Sequence, residues 1–414
     1  MTPTHTTRLP NGLQILSCPM PTRSATLGFW IINGVRHQAP DQNGYAHLLE
    51  HLLFKGTAYH DARALALRFE AMGGDINAHT GRELTALHGL VPADVLYDLA
   101  ALFRDMLLQP GFTAHDVAQE RGVVLQEMAL IRENPEEALE EAAIERAWPG
   151  HPMGRPILGD SEAIQRAGVS ALRDYLRGVL QGARLCVVAA GRVDHESLLR
   201  ACTPLGELPA GVIARQAPPR FEPGEHTARR DVTQCHQAWL MPAPPIADPA
   251  YTALAFANHL LGAGTSSRLF QALREERGLV YGVHSRLELY SDAGLWMIQT
   301  ACDADRARDR RVTVADTVHG LIERGPTPEE MENTRRHLRA GLLLEEDDSH
   351  ARMERLAQEA IYLQRHPTLE ERLARIDAVS PQAVQSPLAA AWAHTCYWEW
   401  RPMAGEARPT NLTV

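Results

Sequence analysis

The sequence predicts a mixed helix-and-strand protein built from a duplicated domain. Three observations lead there. Strand-like runs and amphipathic helical runs follow one another through the first half. A proline- and glycine-rich stretch interrupts the chain near its middle. Beyond it, the chain restarts with a segment that repeats one from the first half.

The elements read in order as follows. Leu13–Ser17 and Thr26–Ile32 are strand-like, with Asn11-Gly12 as a turn before the first and Asn33-Gly34 ending the second. A helix is expected over Tyr45–Lys55, with Asp41 or Asn43 as its cap and Gly56 at its end. A second helix, Ala62–Met72, is stopped by Gly73-Gly74, and a polar strand follows at Ile76–Leu90. The helix Ala93–Leu108 is stopped by Pro110. Thr113-x-x-Asp116 is a capping signal for a helix running to Ile131. Arg184–Ala190 is a short apolar strand. Pro204, Gly206, Pro209, Gly211, Pro218, Pro219, Pro223 and Gly224 then fall in a stretch with little periodicity, which reads as an interdomain linker. The expected division is a domain over 1–210, a linker over 211–230 and a second domain over 231–414.

The chain's 414 residues fit roughly two to three domains. With 51 acidic against 41 basic side chains the net charge is −10, which argues against a nucleic-acid partner. The six cysteines show no C-x-x-C spacing, so they read as small apolar fillers in a reducing compartment. The N-terminal segment MTPTHTTRLPNGLQIL carries no secretory or transit pattern, and no apolar run approaches the roughly 20 residues that span a bilayer. A cytoplasmic protein without a membrane span is the expectation.

The repeat supports the duplication. His51–Thr57 (HLLFKGT) matches His259–Thr265 (HLLGAGT) at five of seven positions. In that alignment Ala255 stands where His47 stands, and Asn258 where Glu50 stands. The second copy has lost two of three polar groups, so chemistry is expected in the first copy only.

That chemistry centres on His47-Leu48-Leu49-Glu50-His51. Histidines at i and i+4 share one helical face, so both imidazoles can reach one ion. Glu50 falls in the same sector. The remaining helix is apolar on nearly every face, and burying two histidines and a glutamate without partners costs roughly several kcal/mol. A metal ion removes that cost. A third ligand must come from elsewhere. The helix after Thr113 offers Glu120 and Glu127, two turns apart on one semi-buried face.

The order HxxEH, then a glutamate 76 residues after the second histidine, resembles the pitrilysin-type (M16) zinc metallopeptidases, whose reversed zinc motif defines the inverzincins. The resemblance runs along nearly the whole chain. It includes Gly44–Thr57, Ile76–Thr85 (INAHTGRELT), Pro152–Gly159 (PMGRPILG), Ala190–Asp194 and Ser266–Tyr281, which contains an Arg and a Tyr seven apart, Arg274 and Tyr281. One departure is Leu180 and Arg184, where family members often carry a Tyr-x-x-x-Asn pattern.

The resemblance implies an α+β fold of two homologous domains, each an antiparallel β-sheet with helices packed on one face. The chain corresponds to a short, two-domain form like the mitochondrial processing peptidase subunits. His47, His51 and Glu127 are implied to bind one Zn2+, with Glu50 as general base and Glu120 orienting a ligand. The substrate is implied to be a peptide that adds as a strand along Asn77, Ala78, His79 and Thr80. Arg274 and Tyr281 would position its carbonyls or stabilise the oxyanion. Because the zinc and Arg/Tyr motifs both occur here, a homodimer is expected, with a heterodimer of related subunits as the alternative. A metalloendopeptidase is the expected function. Its rivals are the catalytic subunit of a heterodimeric maturation peptidase and a non-catalytic structural subunit.

Overall fold

The computed structural model describes residues 4–214 and 216–403. The outer ends of the expected domains, 1–3 and 404–414, and position 215 of the expected linker lie outside them. In chain order the elements are β1 (His5–Arg8), β2 (Gln14–Pro19), β3 (Ser24–Ile31), α1 (Tyr45–Leu53), α2 (Ala62–Met72), β4 (Asp75–Thr80), β5 (Thr85–Pro92), α3 (Leu96–Leu108), α4 (Ala114–Glu133), α5 (Pro135–Ala147), α6 (Ser161–Arg166), α7 (Val169–Val179), β6 (Leu185–Gly191) and α8 (His195–Cys202). They continue as β7 (Gly224–Arg230), β8 (Cys235–Ala243), α9 (Tyr251–Gly262), α10 (Arg268–Phe270), β9 (Val283–Leu289), β10 (Gly294–Cys302), α11 (Ala307–Arg324), α12 (Pro328–Asp347), α13 (Ser349–Gln358), α14 (Leu369–Asp377), α15 (Pro381–Trp392) and β11 (Cys396–Pro402). One turn of π-helix over Gln271–Glu275 extends α10.

The chain forms two compact units. The first contains residues up to 130, 150–219 and 338–374. Its sheet has the order β1-β2-β6-β3-β5-β4. All pairs are antiparallel except β2–β6. Strand alternation sends Leu13, Ile15, Leu27, Phe29 and Leu87 to one face, where they pack with Leu48 and Leu52 of α1 and Phe103 of α3. Each such fully buried side chain contributes about 1.5–3 kcal/mol. The opposite residues, Leu16, Trp30, Val188 and Ala190, are covered by Met353, Leu356, Ala357 and Ala360, from α13 and the turn after it. The helical layer on one face is thus present, and α13 adds a lid over the other.

The second unit contains residues 131–149, 220–337 and the chain from 375. Its sheet has the order β7-β11-β8-β10-β9, again antiparallel apart from one parallel pair, β7–β11. This is the first sheet's order without β1. Helix α5 packs on β8 and β11, and α9 on β9. All six cysteines are free and buried.

Four local expectations change. The polar strand over Ile76–Leu90 is a hairpin: Gly81 N–H donates to Leu84 O, and the polar turn is drawn inward. Buried Arg36 and Glu83 pair at 2.7 Å, while Arg82 donates to Met153 O and Arg155 O. The cap of α1 is Gly44 (φ 100°), whose N–H donates to the Gln38 side chain, so neither Asp41 nor Asn43 holds that place. The last seven residues of the expected linker form β7, an edge strand paired with β11, whose polar sequence hid it. Residues 338–374 belong to the first unit although they lie in the second half of the chain, because the apolar stripe of α13 fits the first sheet.

Candidate active site

Helix α1 starts at Gly44, where a Cβ would come within 2.7 Å of Leu158 O, and it buries Leu48, Leu49, Leu52 and Leu53. That packing fixes the opposite sector, which carries His47, Glu50 and His51. The two imidazole centroids lie 4.7 Å apart. Helix α4 is set by the expected reciprocal cap: Thr113 N–H donates to Asp116 Oδ2 and Asp116 N–H to Thr113 Oγ1. Its buried stripe is Val117, Glu120, Val124 and Met128, so a carboxylate occupies a core position.

The two helices bring His47, His51 and Glu127 together. Glu127 Oε2 lies 3.7 Å from His47 Nε2 and 3.6 Å from His51 Nε2, and all three ligand atoms fall within 4.8 Å of one another. Donors sit about 3.4 Å apart around a tetrahedral ion with bonds of about 2.1 Å. Two imidazole nitrogens and one carboxylate oxygen at these separations are a donor set that would hold Zn2+. Burial, with His51 beside it, pushes the His47 pKa down to about 4, which keeps its ring neutral with a free lone pair.

Glu50 lies half-buried in the same sector. Thr80 Oγ1, at the end of β4, donates to its Oε2 at 2.5 Å. Burial raises the Glu50 pKa; the Thr80 hydrogen bond and His51 oppose the rise without cancelling it. Such a carboxylate is a better proton acceptor than an exposed one.

Glu120 is buried and binds His51: Nδ1–H donates to Oε2 at 2.9 Å. Burial alone would raise its pKa, but hydrogen bonds from Lys55 and His51 outweigh that and hold it below the ordinary carboxylate range. Lys55 Nζ sits 2.5 Å from Glu120 Oε1. The sequence reading missed Lys55. The available clue was its spacing, four residues after His51 and therefore on the same helical face. It also missed Thr80 as a side-chain partner of Glu50, having placed Thr80 in the peptide strand only.

Asn77, Ala78, His79 and Thr80 lie on β4, the edge strand of the first sheet, paired with β5 on one side only. Asn77 and His79 are exposed, while Ala78 and Thr80 are half-buried. Arg274 and Tyr281 come together in the second unit: the guanidinium lies 5.1 Å from the Tyr281 ring centroid and 5.0 Å from that of Phe270. The Tyr281 side chain is 89% exposed.

Comparison with known proteins decides the family. Residues 15–161 match the model described as insulinase (peptidase family M16), and residues 168–338 match the one described as the peptidase M16 inactive domain. The chain belongs to peptidase family M16. A protein named as an uncharacterized zinc protease from Mycobacterium tuberculosis is 32% identical over 388 residues, covering 92% of this chain and 89% of that one. The mitochondrial-processing peptidase subunit beta of Homo sapiens is 30% identical over 407 residues, covering 92% and 81%. A crystal structure of a peptidase M16 inactive domain from Pseudomonas fluorescens superposes with a TM-score of 0.90 at 19% identity, covering 98% of this chain and 99% of that one. This likeness carries the fold. The M16 relatives named zinc proteases make zinc the metal of this family member. Among the described residues, no helix is long and apolar enough to cross a membrane.

Proposed function

We propose that this M16 chain is a zinc-dependent endopeptidase, with His47, His51 and Glu127 as the ligands and Glu50 as the general base. The observation that carries the reading is the convergence of three ligand atoms from two helices within 4.8 Å, with a half-buried carboxylate alongside. Bound there, zinc would supply Lewis acidity that lowers the pKa of a water toward about 7. Glu50 is placed to take a proton from a water as its oxygen adds to the peptide carbonyl, and to return that proton to the amine as the C–N bond breaks. Thr80 holds the Glu50 carboxylate at the end of β4, so the base is indexed to the strand we assign to the substrate. Glu120 orients His51.

The unpaired edge of β4 supports peptide binding as an added strand along Asn77–Thr80, because backbone hydrogen bonds give affinity with little sequence demand. Arg274 and Tyr281 are assigned to positioning the substrate carbonyls or the oxyanion. That role rests on the motif and on their mutual stacking. We place the domain division at the linker 211–230, with exchanged segments as described above. A homodimeric chamber in the cytoplasm completes the reading, and six unpaired cysteines fit a reducing compartment. Similarity to a protein named as a processing-peptidase beta subunit supports the second reading, a heterodimeric maturation peptidase.

The test measures bound zinc and cleavage of a quenched peptide. Glu50→Gln should keep zinc and lose at least about a hundredfold in cleavage. A Glu50→Gln protein that cleaves at the wild-type rate removes the general-base assignment. Native mass of the purified protein separates homodimer from heterodimer.

A further inference from the structure

We propose that Lys55 is a positioning residue for the zinc site, acting through Glu120 to fix the ring plane and tautomer of His51. This rests on the zinc-site reading above and deepens it. Glu120 lies inside the apolar stripe of α4, where an ionised carboxylate is stable only if its oxygens are matched. They are matched by two different groups. Lys55 Nζ takes Oε1 at 2.5 Å and His51 Nδ1 takes Oε2 at 2.9 Å. A carboxylate anchored at both oxygens cannot rotate. The plane that Lys55 sets is therefore the plane to which the His51 ring must conform.

The consequence lies on the far side of the imidazole. With Nδ1 committed as donor to an ionised carboxylate, the neutral ring carries its lone pair on Nε2, the atom 3.6 Å from Glu127. His47 provides the contrast. Its Nδ1 is buried without a hydrogen-bond partner among the described residues, so no hydrogen bond on that side sets the ring. Of the two histidines, only His51 is held by an electrostatic chain, and that chain begins at Lys55.

Lys55 sits just past the last turn of α1, its N–H donating to Leu52 O, and it is only partly covered. Its aliphatic stem can therefore be kept while its charge is removed. The experiment compares wild type, Lys55→Met, Lys55→Arg, Glu120→Gln and the Lys55→Met/Glu120→Gln pair. Zinc affinity is read by chelator competition, and the thermal midpoint of each metal-free protein is recorded. Lys55→Met should bind zinc about 10–100-fold more weakly, as for other groups that orient a metal-bound histidine. Lys55→Arg should recover most of that loss. The double variant should bind no more weakly than Glu120→Gln alone, because both changes cut one chain.

Zinc affinity unchanged in Lys55→Met overturns the proposal. So do additive losses in the double variant, or a loss matched by an equal fall in the metal-free midpoint that Arg does not restore. Wild type that binds zinc but cleaves no peptide counts against the proposed function and leaves these affinities to decide the role of Lys55.

Discussion

Helices α1 and α9 have the same relation to their own sheets, and they have diverged at nearly every polar position. Each packs on the edge strand at the end of its sheet, α1 on β4 and α9 on β9. In each, a hydroxyl on that strand donates to a side chain on the helix. Thr80 donates to Glu50 at 2.5 Å, and Ser285 donates to Asn258 at 2.7 Å. Asn258 is the residue that the repeat aligns with Glu50. The same strand-to-helix hydrogen bond is thus present in the second copy, where an amide, which cannot take a proton at neutral pH, stands in place of the carboxylate. His51 is matched by His259, but the partners differ. His51 is tied to Glu120, whereas His259 stacks on His337 with centroids 4.2 Å apart. His47 and Lys55 are matched by Ala255 and Ala263. The lesson is that a hydrogen bond between helix and edge strand belongs to the fold, while the ligand set we propose and the Lys55 that steadies it are not kept in both copies.

The largest effect expected from this comparison is in metal content. His51→Ala should abolish zinc binding and cleavage together, and His259→Ala should leave both at wild-type level, read by elemental analysis and peptide hydrolysis. Full zinc stoichiometry in His51→Ala breaks the ligand assignment. Zinc loss in His259→Ala breaks the distinction between the two copies.

How far the sequence carried this picture depends on the range of the physics involved. The limits of α2 and the cap of α4 are local facts, a Gly73 stop with φ 67° and a Thr113–Asp116 exchange, and both were legible. The spacing of His47, Glu50 and His51 follows from helical period alone. Glu127 needed the family resemblance, because no local rule selects it over Glu120. The hairpin turn at Arg82 and Glu83 was hidden because polar residues read as exposed. These two are buried against Arg36, Met153 and Arg155, which lie far away in the chain. The stripe on α13 packs on the first sheet from the second half of the chain, and no local period says which sheet such a helix covers. Lys55 drew no role from the sequence, because its partner Glu120 comes from α4, far along the chain.

A second effect concerns stability. Zinc that binds only the folded state stabilises it by about 2.7 kcal/mol when free metal is 100 times the dissociation constant. Chelation should therefore lower amide-exchange protection in α1, α4 and β4, and leave α9 and β9 unchanged. Equal loss of protection at α9 would mean that the two copies respond to the metal as one cooperative body, and the contrast drawn above would not hold.

The smallest effect compares the glycines that end the two helices. Gly56 and Gly264 are matched in the repeat, with φ of 131° and 141°, a region that side chains rarely adopt. Alanine strains the backbone at either position, by roughly 1–3 kcal/mol. Their surroundings differ. A Cβ at Gly56 would come within 2.6 Å of His60 O, whereas at Gly264 the nearest atom is Cε1 of the His259 ring, 4.0 Å away. The chain after Gly56 also closes tightly, since Thr57 N–H donates to His60 O at 2.7 Å, so that carbonyl cannot retreat without losing a bond. Gly56→Ala should therefore cost about 1–3 kcal/mol more than Gly264→Ala in chemical denaturation. Equal costs would show that the turn after α1 is no tighter than the one after α9.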